Sequence, residues 1–217
     1  ATALRLGAGA VVPELRSAGI VSASGGGGTN SLTQAVSIDS GAEISSIRNS
    51  GKISASNSGQ GMAAAISDKS GTLTLVENGG TISATAAAGG GDRAIAMDLR
   101  QNAGGATVRQ TAAAQGAPAP SITGSLLFGS GNDVFDVADG TITGTTRFGA
   151  GATRLSLAGD ARYTGDVHFG AGADTVTLGG TSAIDGNIDF GGGADSFTLG
   201  GTSRFVGALS GAQGLAV

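Results

Sequence analysis

Asp133, Asp174 and Asp195 share one position in a recurring glycine-rich phrase, and their residue type and spacing make them the first candidates for chemistry. The phrase reads FGSGNDVFDV (128–137), FGAGADTVTL (169–178) and FGGGADSFTL (190–199), each Asp closing the turn pattern G-x-G-x-D. A fourth copy, FGAGATRLSL (148–157), carries Thr153 at that place. A carboxylate beside the bare carbonyls of a glycine-rich turn suits a hard cation such as Ca2+, which takes oxygen ligands. On adjacent levels of a stack, Asp174 and Asp195 would form a like-charge pair that a cation relieves. The competing reading is structural. Each carboxylate would accept hydrogen bonds from backbone N–H groups of its own tight turn.

The residue just before each phenylalanine is Leu127, Arg147, His168 or Asp189. His168 and Asp189 fall on neighbouring levels with Arg147 below them, the pattern of a solvated ion pair. A glycan-cleaving site would need clustered carboxylates or a Lys/Arg base on one face. No glycine cluster opens a helix to cradle phosphate, and the G-x-S-x-G nucleophile elbow is absent. The chain is expected to be no enzyme and to hold no cofactor other than Ca2+ on the aspartate column. A polysaccharide lyase or hydrolase is the alternative.

What must position these residues is a stack of strands. The four phrases lie 20 or 21 residues apart, and apolar residues keep fixed offsets from the phenylalanine column of Phe128, Phe148, Phe169 and Phe190. Ile122, Ile142, Tyr163 and Ile184 precede it; Phe135, Leu155, Val176 and Phe197 follow, then Val137, Leu157, Leu178 and Leu199. Alternation with polar Asp136, Ser156, Thr177 and Thr198 marks a strand with one buried face. A unit this short cannot close a core alone, so copies stack as coils of a solenoid.

The first half repeats with a longer period. VVPELRSAGIVSA (11–23), EISSIRNSGKISA (43–55) and LTLVENGGTISA (73–84) align Leu15 with Ile47 and Val76, and Gly19 with Gly51 and Gly80. Val21, Ile53 and Ile82 correspond, as do Ala23, Ala55 and Ala84. An apolar pair lies upstream of each: Leu4 and Leu6, Val36 and Ile38, Ala65 and Ile66. Asn49 and Asn78 share a place before a turn, where stacked amides can bond along the ladder, although Ser17 interrupts the column. The expected division is 1–109 with repeats of about 29–32 residues, an Ala/Pro loop at 110–121 around Pro118 and Pro120, and 122–217 with 20–21-residue repeats. The fold class is all-β, a right-handed parallel β-helix forming a single elongated domain.

Composition agrees. Forty-two Gly without a period of three fit a tight turn every few residues. Net charge is −4 and the 12 Lys and Arg are scattered singly, which argues against nucleic acid. No apolar run is long enough to cross a membrane as a helix, and no signal peptide opens the chain. There is no Cys.

The I-x-N-S-G-x-I-S-A phrase at 47–55, V-E-N-G-G-T-I-S-A at 76–84, the GTL strand start at 71–73 and the F-G-x-G-x-D-x-x-x-L coils at 128–199 resemble the β-helical passenger region of bacterial autotransporters, the type V secreted surface proteins. The resemblance covers nearly the whole chain and lies in repeat style. It implies a cell-surface or extracellular location after export across the outer membrane, with an outer-membrane β-barrel anchor outside this sequence. It also implies a rigid stalk or adhesin segment, and the lack of Cys suits export in an extended state. The partners it suggests are host or cell-surface glycans or proteins, or another copy joined through the end rungs. The G-x-G-x-D turn also looks like the calcium-binding nonapeptide G-G-x-G-x-D-x-U-x, which leaves a calcium-stabilised secreted repeat module as a further alternative.

Overall fold

Residues 1–87, 92–112, 115–211 and 213–216 are described by the computed structural model, and among them all regular structure is β-strand. Three strands make one coil. The first coil is β1 (Thr2–Leu6), β2 (Val11–Ser17) and β3 (Ile20–Gly25); the second is β4 (Leu32–Ile38), β5 (Glu43–Asn49) and β6 (Lys52–Asn57). The third is β7 (Met62–Asp68), β8 (Leu75–Asn78) and β9 (Thr81–Ala86); the fourth is β10 (Ala94–Asp98), β11 (Thr107–Gln110) and β12 (Ser121–Thr123). Shorter coils follow: β13 (Ser125–Leu127), β14 (Val134–Val137) and β15 (Thr141–Thr143), then β16 (Thr146–Arg147), β17 (Arg154–Leu157) and β18 (Arg162–Thr164). The seventh is β19 (Val167–His168), β20 (Thr175–Leu178) and β21 (Ala183–Asp185); the eighth is β22 (Ile188–Asp189), β23 (Ser196–Leu199) and β24 (Arg204–Val206). A last strand, β25 (Leu209–Ser210), continues the first face.

Consecutive strands never pair. Every third strand stacks instead, giving one face of nine strands from β1 to β25 and two faces of eight, β2 to β23 and β3 to β24. Paired strands run parallel and in register, as Leu155 to Val176 and Ile142 to Tyr163 illustrate, with a shift between Ile95 and Met97 where β10 meets β13. This is the parallel β-helix that the repeats predict. Its interior is built from columns. Ile47, Val76, Val108, Phe135, Leu155, Val176 and Phe197 form one, and Ile53, Ile82, Ile122, Ile142, Tyr163 and Ile184 another. The phenylalanine rings stack at 4.7, 5.0 and 5.4 Å between centroids from Phe128 to Phe190. Like rings pile up because parallel register leaves each side chain only its equivalent as a neighbour along the axis. Tyr163 fits the isoleucine column because its hydroxyl, buried with the ring, donates to Thr146 Oγ1 at 2.7 Å.

Glycines set how closely the turns approach. A Cβ at Gly149 or Gly170 would collide with the carbonyl oxygen of the glycine one coil earlier, Gly129 or Gly149. The Phe-Gly step is therefore a contact between backbones, and only glycine admits it.

Three sequence readings change. Leu199 belongs to the inward column of Leu178 yet is 48% exposed; β23 is the last strand on its face, and the described pairing beyond it, Ala216 with Ser196, lies at its other end. Residues 71–73 lie outside any strand, and the strand begins at Leu75. Ile66 pairs with Val36, so the place of Ile38 in the third coil goes to Asp68, not to an apolar residue. Asp68 is buried and accepts from the N–H groups of Ser70, Gly71 and Leu73 in the following turn.

Candidate functional site

The aspartate column lies at the corner between the first and second faces. Each Asp stands one residue ahead of its strand, where the backbone N–H has no ladder partner. The carboxylate supplies one, but for the preceding coil. Asp133 Oδ1 accepts from Ala106 N–H at 2.8 Å, Asp174 Oδ1 from Thr153 N–H at 2.8 Å, and Asp195 Oδ1 from Asp174 N–H at 2.9 Å. The expectation of a bond within the Asp's own turn is corrected: the bond ties one coil to the next. All three side chains are buried, and the second oxygen, Oδ2, of each has no hydrogen-bond partner. Burial pushes Asp133 and Asp174 up to about 6, with the neighbouring Asp195 charge adding to the rise at Asp174.

Thr153 separates Asp133 from Asp174 by two levels, roughly 10 Å at β-sheet spacing, so these two cannot share an ion. Asp174 and Asp195 are the adjacent pair. Among the described residues no group of three or more His, Asp or Glu side chains is gathered around one point. A cation on Asp174 and Asp195 would have to draw its other ligands from turn carbonyls.

The Asn49–Asn78 pairing is present and runs further than the repeats show. Asn49 Nδ2 donates to Asn78 Oδ1 at 2.9 Å, and Asn78 Nδ2 to Gln110 Oε1 at 3.2 Å. Gln110 Nε2 then donates to the carbonyl of Asp139 at 2.8 Å. The three side chains are buried in one column, which Val137 and Leu157 continue as an apolar one. Gln110 follows Asn78 at the long period, 32 residues on, but lacks the turn glycine two residues later that marks Asn49 and Asn78. At the other end, Ser17 Oγ and Asn49 Oδ1 face each other in register without partners, because Ser is too short to close the gap.

On the outer surface several charges pair. His168 Nδ1 lies 3.9 Å from Asp189 Oδ2, and both side chains are substantially exposed. Arg147 does not join them; it reaches Asp92 at 3.4 Å, and Asp92 also accepts from Ser125 Oγ at 2.9 Å. On the second face Glu14 is held by Arg16 and Arg48, Glu77 by Arg48, and Asp136 by Arg154 at 2.8 Å. These arginines hold Glu14 below the usual carboxylate range.

Two grooves flank the long coils. One of about 460 Å³ follows the corner between the second and third faces, with Arg16, Arg48, Glu77 and Thr111 on its walls. The other, about 370 Å³, crosses the outside of the first face over Leu32, Met62 and Ile95, with Lys69 and the Asp98–Arg100 pair at one end. Its floor continues into Ala64, Ile95 and Leu127, an apolar cluster outside the coil interior. Leu127 shares its place in the phrase with Arg147, His168 and Asp189 yet is buried, and its apolar type was the one available signal. Comparison with protein-family models, curated proteins and solved structures finds no match to this chain. No helix among the described residues is long and apolar enough to cross a membrane.

Proposed function

We propose that this chain is a rigid stalk or adhesive segment of a secreted, surface-exposed bacterial protein, built like an autotransporter passenger. The observation that carries the reading is the parallel stacking of all three faces through eight successive coils. Such stacking makes a stiff rod of roughly 40 Å at about 4.8 Å per level. Side chains that elsewhere do chemistry are here committed to holding coils together or to each other. The aspartates tie turns, the amides tie coils, and surface carboxylates such as Glu14 and Asp136 are matched by arginine. Rung-by-rung folding of an extended, cysteine-free chain also suits export.

An antibody against the chain, applied to intact cells of the source organism, tests the reading. Labelling that disappears after external protease is expected. Labelling that appears only after permeabilisation would overturn it.

A further inference from the structure

We infer that the groove across the outside of the first face binds a fatty acid, its aliphatic chain on the apolar floor and its carboxylate at Lys69. The floor is the first observation. Leu32, Met62, Ala64 and Ile95 line the groove from the outer side of the sheet, and Ala64 and Ile95 join Leu127 in an apolar cluster apart from the coil interior. An apolar patch of this kind on an outer surface marks an interaction site. The groove encloses about 370 Å³, within the range of small-ligand sites.

The second observation is direction. Ala64 pairs with Ile95, and Ser67 with Asp98, so the lining changes in step along β7 and β10. Apolar side chains occupy the start of both strands; Ser67 and Asp98 follow, and Lys69 and Arg100 lie just past the strand ends. From Met62 to Asp68, β7 measures roughly 20 Å at the rise of a strand. The site is long, apolar at one end and cationic at the other.

The third is charge. Arg100 is bound to Asp98, and Asp39, the carboxylate that feels the charge of Lys69, is bound by Arg5. Among the described residues Lys69 has no carboxylate of its own within ion-pair distance. The end of the groove therefore carries one surplus positive charge, which a monoanionic head group complements.

Other ligand chemistries fit less well. A peptide would lay its N–H and C=O groups over β7, whose own ladder groups are already paired with β4 and β10. A sugar would bring hydroxyls to a floor that offers them no partner. An aliphatic chain needs only to be withdrawn from water.

Isothermal titration of the whole chain with dodecanoate, below its micelle concentration at pH 8, tests this. Octanoate, dodecyl maltoside, maltohexaose and an acidic heptapeptide serve as comparison ligands, with Lys69→Gln and Ala64→Met as variants. Dodecanoate should saturate one site. Octanoate, four methylenes shorter, should bind about tenfold more weakly on a half-open floor. Dodecyl maltoside, with the same chain and a neutral head, should also bind more weakly. Lys69→Gln should weaken dodecanoate by about fivefold and keep the preference for the longer chain. Ala64→Met fills the floor and should abolish binding; if it does not fold, Leu32→Gln at the exposed rim should weaken binding instead. The inference is overturned by absence of saturable dodecanoate binding, by binding that the floor and Lys69 substitutions leave unchanged, or by equal binding of dodecyl maltoside. Saturation by the sugar or the peptide, with dodecanoate inert, would assign the groove to that ligand and overturn it as well.

Discussion

The rings of Phe148 and Phe169 lie 5.0 Å apart and 13° from parallel, although a complete turn of chain separates them. Both are buried, and each also touches the next ring of the column. Phe169→Ala removes the middle of this column and leaves a gap that the flanking glycine turns cannot close. A loss of about 3–5 kcal/mol is expected from denaturant melting. Phe169→Asp, which buries an unpaired carboxylate between rings, should lose more and abolish the cooperative transition. Unchanged circular dichroism and melting in the Asp variant would show that this side chain does not face the interior.

Glycine at the Phe-Gly step is required by a neighbour rather than by its own dihedral angles at Gly149 and Gly170. Gly170→Ala drives a methyl into the Gly149 carbonyl oxygen and should force adjacent coils apart. Gly192, two residues after Phe190, has open space around its Cα, and Gly192→Ala should be nearly neutral. Thermal melts of the two variants should differ by many degrees. Equal midpoints would contradict the close backbone approach.

The buried amide column gives a prediction of each sign. Asn78→Ala leaves Gln110 Oε1 without its donor and Asn49 Nδ2 without its side-chain acceptor, at a cost of about 1–3 kcal/mol for each unmet group. Ser17→Asn supplies the amide that Asn49 Oδ1 lacks and should raise stability by about 1 kcal/mol. Denaturant titration distinguishes the two, and a destabilising Ser17→Asn would show that the gap does not admit the larger side chain.

Much of the fold was legible because its columns repeat. The offsets among Ile122, Phe128, Phe135 and Val137 recur in four phrases, and parallel stacking of those phrases is what places Leu155 beside Val176. Gln110 and Asp68 were not legible: Gln110 lacks the turn glycine that follows Asn49 and Asn78, and Asp68 puts a carboxylate where its column has Ile38. The aspartates were recognised, but their partners were not. A turn motif specifies the carboxylate, whereas the N–H it binds belongs to a different coil, at a distance set by three-dimensional stacking. The partners of Leu127 and Arg147 were not legible either: Leu127 packs on Ile95 of β10, and Arg147 reaches Asp92 just ahead of that strand, both in the fourth coil where neither repeated phrase recurs.

Cysteine cross-linking across neighbouring coils probes the stacking itself, in a chain that has no Cys of its own. Ser156 and Thr177 are register partners on the outer side of the second face, and Thr198 is the next residue along that row. Adjacent levels at about 4.8 Å fall within disulfide range, while alternate levels at roughly 10 Å do not. Mild oxidation should therefore link Ser156→Cys to Thr177→Cys efficiently and leave Ser156→Cys with Thr198→Cys as free thiols. Failure of the first pair, or equal linking of both, would mean that the glycine-punctuated blocks do not form successive coils of one helix.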